Sequence, residues 1–258
     1  MTTMSGVKRV AFNDYDNNNH CTIYVEEVLD AAYGCYIWPS ALVLSDYVWY
    51  HRDAFAYSTI LEIGAGTSLP SLVLAKASQS VRLVLSDIPS ILPVVRGCLP
   101  LNGLHESAEA LWVRELLWGQ LGCTNSVDQL VKDIEHNWNT SIDYILGSDT
   151  FYDPADFENL LVTVSFIIHR HNPKCKFITA YQERSAKRSI QYLLDKWGLQ
   201  CSSISRESFE FDEFRFTHRD DTSDKEDGDG DEDSDSIPSV RMNAGSLSSV
   251  FVLVISSK

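Results

Sequence analysis

The sequence predicts an α/β fold, a mostly parallel β-sheet covered by helices on both faces. Three observations carry this expectation. Short runs rich in Val, Ile and Leu alternate with stretches of helical spacing along most of the chain. The 258 residues are 44% hydrophobic and 22% charged, enough to bury a core without disulfides or structural metal. The last two strand-like runs have no helix pattern between them, so they are expected to pair as an antiparallel hairpin, with the last strand antiparallel to the sheet. No internal repeat is visible, and a single domain over residues 1–258 is the simplest organisation.

Residues 22–28 read as a short strand and 40–50 as an amphipathic helix. Residues 59–63 form a β run that stops at Gly64-Ala65-Gly66, and 69–77 have helical spacing. Residues 81–85 are an apolar strand ended by Ser86-Asp87. Residues 91–101 are helix-like, with Pro93 and Gly97 clouding their start. Residues 111–117 and 142–147 read as strands, and 157–169 as a helix closed by Asn172-Pro173. A strand at 176–181 and a helix at 186–197, ended by Gly198, follow. Strands at 201–205 and 249–256 complete the set.

The net charge of −15 argues against binding a phosphate backbone, and so against direct nucleic-acid binding. Its distribution is uneven. Ten acidic residues and Lys225 between Asp220 and Asp235 carry −9, leaving a body of −6. The composition around them predicts a disordered acidic loop at 218–240 between the last two strands. A calcium loop begun at Asp227 would need glycine where Glu232 stands. Six scattered cysteines without a C-x-x-C pair fit a reducing compartment. No apolar run is long enough to span a membrane, and residues 1–16 lack a secretory pattern.

In an open α/β sheet, ligands bind beyond the carboxyl ends of the strands. There the chain places Gly64-Ala65-Gly66, a turn that allows close backbone approach, followed by the free N–H groups of a helix start. A dinucleotide fingerprint needs a third glycine where Leu69 stands, which disfavours NAD. Asp87 ends the next strand, where an acid accepts hydrogen bonds from both ribose hydroxyls, although a lone aspartate there could equally cap a helix. Together the turn and Asp87 indicate an adenosine-containing cofactor and leave its reactive end open. His169 and His171 do not share a helix face and lack partners at ligand spacing, so no metal is expected. No G-x-S-x-G elbow supports serine hydrolysis.

Glu62-x-Gly64-x-Gly66, with Asp87 closing the next strand, resembles class I S-adenosylmethionine-dependent methyltransferases. Tyr36-Ile37-Trp38-Pro39, Leu117-Trp118-Gly119, Asp149-Thr150-Phe151-Tyr152 and the Tyr181-Gln182-Glu183-Arg184-Ser185 run are similar to the methyltransferase-like family that modifies lysine or arginine on proteins. The likeness runs from about Cys21 to Glu207 and takes in the final strand, while the acidic run departs from it. It implies a Rossmann-like three-layer sandwich with seven strands and S-adenosyl-L-methionine as cofactor. It also implies that Gly64, Ala65 and Gly66, with Glu62 in the same motif, approach the cofactor and that Asp87 holds its ribose. Trp118 would lie against the adenine, with Trp38 and Ser148 lining the site. Plainer roles exist for both indoles, Trp118 in the core and Trp38-Pro39 at a helix entry.

Methyl transfer from a sulfonium requires aligning two atoms and excluding water. A lysine acceptor, with an ordinary pKa of about 10.4, must first lose a proton. An arginine stays charged and needs carboxylates to orient it. Asp149 and Glu183, each following a strand, are expected to clamp the acceptor, with Tyr152 shaping the channel. A salt bridge from Glu183 to Arg184 or Lys187 competes with that role. The resemblance favours arginine on a histone or other basic protein, matched by the acidic surface. The alternatives are a lysine on a chaperone or translation factor, and a non-catalytic adaptor that keeps the fold. Nucleus and cytoplasm are the compartments the resemblance implies.

Overall fold

A hairpin that the sequence reading half missed opens the computed structural model, which describes residues 5–14, 18–28, 35–184, 189–217, 237–243 and 245–258. Strand β1 (Ser5–Asn13) pairs antiparallel with β2 (His20–Val28) in a two-stranded sheet of its own. Residues 5–13 carried no strand expectation, because Val10 and Phe12 are the two buried side chains among mostly charged or small neighbours. After the hairpin come α1 (Pro39–Tyr50), β3 (Thr59–Ile63), α2 (Leu69–Ala77), β4 (Arg82–Asp87), α3 (Leu92–Leu101) and β5 (Leu111–Glu115). Then follow α4 (Val127–Trp138), β6 (Tyr144–Ser148), α5 (Phe157–Phe166), β7 (Lys176–Gln182), α6 (Gln191–Lys196), β8 (Leu199–Ile204), α7 (Phe214–Thr217) and β9 (Val250–Ser257).

The main sheet has seven strands in the order β5-β4-β3-β6-β7-β9-β8. Strands β3 to β7 run parallel, and β9 lies antiparallel between β7 and β8, the pairing expected of the last two runs, although the one-turn helix α7 lies between them. Side chains alternate across the pleat. Ile60 of β3 joins the cluster made with α1, α2 and α3, whereas Leu61 and Ile63 join the cluster made with α4, α5 and α6. The result is the expected three-layer sandwich. Prolines at the first turns of α1, α2 and α3 suit a position with no hydrogen-bond partner, so Pro93 starts α3 rather than obscuring it.

Helix α4 is a second addition. Val127, Leu130, Val131, Ile134 and Trp138 recur at helical spacing and are all buried against the sheet. The helix expected at 157–169 is α5 continued by a π-helical turn at Ile167–His171. In the helix expected at 186–197, residues 186–188 lie outside the described residues, and the described helix is α6. The same holds for most of the acidic loop, since 218–236 are not described.

The end of that expected loop needs correction. Arg9 N–H donates to Pro238 O at 2.9 Å, and Val240 N–H donates to Arg9 O at 2.8 Å, so 238–240 lie along β1. The other end is anchored too: Phe216 packs 6.2 Å from Phe12, and Arg215 pairs with buried Asp46 of α1. Among the described residues no helix is long and apolar enough to cross a membrane. Truncating a wholly buried side chain of α4 tests its place in the core. Ile134→Ala should cost about 2–5 kcal/mol in a urea unfolding titration, with the slope unchanged.

Candidate active site

Strand β3 pairs with β4 on one side and β6 on the other, so the strand order reverses there and a crevice opens beyond the carboxyl ends. The turn that follows β3 is built for close approach. Gly64 has φ +58°, and a Cβ on it would stand 3.1 Å from Trp118 Cζ2 and 3.3 Å from Thr150 Cγ2. Any side chain at 64 would therefore strain the backbone and make the indole give by a few tenths of an ångström. Ala65 N–H donates to Ser86 O at 3.0 Å, tying the turn to the end of β4.

Two acids flank this turn in different ways. Glu62 is wholly buried beneath it, and its Oε2 accepts from Ser71 N–H in the first turn of α2 at 3.3 Å. Burial pushes its pKa up to about 8, against the opposing pull of the Ser71 hydrogen bonds. Glu62 thus anchors the helix that the loop enters. Asp87, half-buried at the end of β4, accepts from Gly66 N–H at Oδ2 and from Ile88 N–H at Oδ1, both at 2.8 Å. Burial raises it to about 6, and the two amides oppose the rise.

Across the crevice, Asp149 follows β6 with φ +56°. This left-handed conformation is one that aspartate tolerates better than most residues. Its N–H donates to Ala180 O at 2.7 Å, and its carboxylate is buried. Oδ1 accepts from Gln182 N–H at 3.4 Å, and Oδ2 is paired with the Arg184 guanidinium. The guanidinium carbon lies 6.0 Å from the centre of the Trp38 ring. Phe151, Tyr181, Gln182 and Arg184 line a small cleft that opens to solvent.

The structure therefore gathers Glu62, Gly64, Ala65, Gly66, Asp87 and Trp118 around one turn. It gathers Trp38, Asp149 and Arg184 beside the other strand end, with Ser148 as the last residue of β6. Tyr152 is 39% exposed, two positions from Thr150 of the Gly64 contact. Glu183 is exposed, its N–H donating to Ser249 O at 2.9 Å, and it does not meet Arg184, which turns to Asp149 instead. Lys187, the other partner expected for Glu183, lies outside the described residues. Arg184 and Gln182 are the site residues that sequence reasoning missed; a basic side chain just past a strand end was the available signal. The histidines are structural: His171 Nε2 accepts from Ile142 N–H at 2.9 Å, and His169 bonds Trp197 O at 3.1 Å.

Residues 17–195 match the family model for lysine methyltransferase. The chain belongs to this lysine methyltransferase family. It is 40% identical over 193 residues to histone-arginine methyltransferase METTL23 of Xenopus laevis, a match spanning 74% of this chain and 75% of that one. The human METTL23, also described as a histone-arginine methyltransferase, is 40% identical over 178 residues, covering 69% and 85% of the two chains. Protein-lysine methyltransferase METTL21E of Mus musculus is 31% identical over 133 residues, covering 51% of this chain and 50% of its own.

The cofactor of this methyltransferase is S-adenosyl-L-methionine, and the crevice fits it on its own terms. Each oxygen of Asp87 spends one lone pair on an amide and keeps another, so the ionised carboxylate can accept from the two hydroxyls of a ribose. The glycine at 64 leaves the Trp118 indole flush with the loop, a flat apolar wall beside the diol acceptor.

Two measurements follow from these acids. Protonating Asp87 removes its acceptor role, so cofactor affinity should fall as pH drops through about 6, to about tenfold weaker at pH 5 than at pH 7.5 by calorimetry. Asp87→Asn should weaken binding about 10- to 100-fold at pH 7.5 and flatten that dependence. Glu62 has a folded pKa above its unfolded value, so its ionisation is withheld in the native state. Its contribution to stability is present below about pH 4.5 and is lost as pH rises through about 8. The Tm of Glu62→Gln relative to the natural chain should therefore climb over that window and level off above it.

Proposed function

We propose that the protein transfers the methyl group of S-adenosyl-L-methionine to an arginine side chain on a histone or another basic protein. The observation that carries this reading is Asp149. It is a buried carboxylate that already pairs with a guanidinium, across the strand-order switch point from Asp87. The contact is a single charge-assisted bond from Nη2 to Oδ2, at a buried position that suits the weakly hydrated guanidinium better than an ammonium. The similarity to the histone-arginine methyltransferases of frog and human supports the same acceptor. The acidic run and the net charge of −15 favour a basic protein partner, with nucleus and cytoplasm as the compartments where histones are met.

When bound, the cofactor supplies an electrophilic methyl group on a positively charged sulfur. The chain's own residues hold and orient. The turn at Gly64 to Gly66 and Asp87 fix the nucleoside, and Trp118 covers one wall. Asp149 orients the acceptor guanidinium, neutralises its charge and stands ready to take the proton it releases. Glu183, on the exposed rim, supplies a second carboxylate for the incoming basic segment, and Tyr152 shapes the entrance.

A lysine acceptor, on a chaperone or translation factor, is the second reading. The description of the matched family and the likeness to METTL21E favour it. Incubation with labelled cofactor and core histones, followed by mass spectrometry of the labelled residue, separates arginine from lysine. Asp149→Asn should reduce turnover about a hundredfold while cofactor affinity stays within about twofold of the natural chain. Unchanged turnover would remove Asp149 from the mechanism.

A further inference from the structure

The Asp149–Arg184 pair is asymmetric. Asp149 is 7% exposed and cannot turn to water, whereas Arg184 is 33% exposed and can. A buried carboxylate left without a partner costs several kcal/mol, so a resting enzyme with a vacant acceptor site needs a cation at that point. Arg184 supplies it. Its guanidinium takes Oδ2, while the backbone amide of Gln182 takes Oδ1, and the Trp38 ring stands 6.0 Å away. Arg184 also lines the cleft with Phe151 and Tyr181. Arg184 thus joins the buried carboxylate, which no other side-chain cation among the described residues is seen to meet, to the wall of an open cleft.

We propose that Arg184 is an internal stand-in for the acceptor, held on Asp149 until an incoming arginine displaces it. The inference rests on the arginine-acceptor reading and adds the step by which the site is entered. The exchange swaps one guanidinium for another on the same oxygen, so Asp149 ends paired and Arg184 ends in water. An ammonium is a compact, strongly hydrated charge and is harder to desolvate onto the buried Asp149 oxygen than a guanidinium is. Arg184 therefore raises the threshold for every acceptor and raises it more for lysine. It acts through Asp149 and is a specificity-determining residue, not a catalytic one.

The test uses full-length Arg184→Ala and Arg184→Met, the second keeping an apolar stem if the first disturbs folding. Ethylguanidine, titrated by ligand-observed NMR, probes the vacated site without any protein substrate. Both variants should bind it at least tenfold more tightly than the natural chain. On core histones both should show a several-fold lower KM for the histone, with the KM for cofactor unchanged and the preference for arginine over lysine reduced. Equal ethylguanidine binding in all three proteins would overturn the proposal. So would a tenfold loss of turnover at saturating histone with KM unchanged, since Arg184 would then be holding Asp149 in its working position. If the natural chain methylates no arginine on histones, the acceptor reading falls, and the ethylguanidine titration still decides the role of Arg184.

Discussion

Three carboxylates are drawn into one crevice by the order of the strands, and none of them can stay there as a bare charge. Glu62 ends inside the sheet face, Asp87 at the tip of β4 and Asp149 just past β6. Each is relieved differently. Glu62 takes an amide from α2 and is pushed towards its neutral form. Asp87 takes two backbone amides, one from the glycine turn itself. Asp149 takes a side-chain cation. The division matters for function, because amides fixed in the backbone leave the Asp87 oxygens in place with lone pairs to spare, whereas a side-chain cation can be exchanged. One acid holds a helix, one holds the glycine turn, and one holds a side-chain cation.

Much of this was legible because the alternating elements around the crevice are short and sharply punctuated. The run 59–63, its glycine turn and the helix 69–77 were read to the residue, since β-branched residues, two glycines and a proline bound them. β1 and α4 were not read. In β1 the apolar face amounts to two side chains, and its partner is the neighbouring hairpin strand β2 rather than the main sheet. In α4 the spacing was present, but it follows a stretch of Gly, Thr, Asn and Ser that reads as an extended loop. The lesson is about contrast: period alone was a weaker signal than period bounded by breakers.

The meeting of the residues around the glycine turn was equally legible, and that of the residues beyond β6 and β7 was not. Gly64, Gly66 and Asp87 sit at spacings imposed by a turn and a strand, so their meeting follows from backbone geometry. Asp149, Glu183 and Arg184 sit at two strand ends, where a choice between adjacent side chains decides which one enters the crevice. In β7 alternation ends at Gln182, whose N–H bonds Asp149, and it is Arg184 that reaches inward. Sequence favoured Glu183 because an acid is the expected partner of a basic acceptor. The structure puts a base there instead, because the neighbouring acid was buried and had to be paired first.

What lies outside the sheet acts on the acceptor half as well. Ile37 N–H donates to Glu27 of β2 at 3.0 Å, one residue before Trp38, so the hairpin fixes the entry to α1 and with it the indole beside Arg184. β1 in turn is held by Arg9 against 238–240 and by Phe12 against Phe216, which ties the β8–β9 connection to the same side. Glu62, the glycine turn and Asp87 bond instead to α2 and to the strands themselves. Lys76 of α2 donates to Thr22 O of β2 at 2.7 Å, so the same hairpin also braces the helix behind the glycine turn and couples the two sides of the crevice.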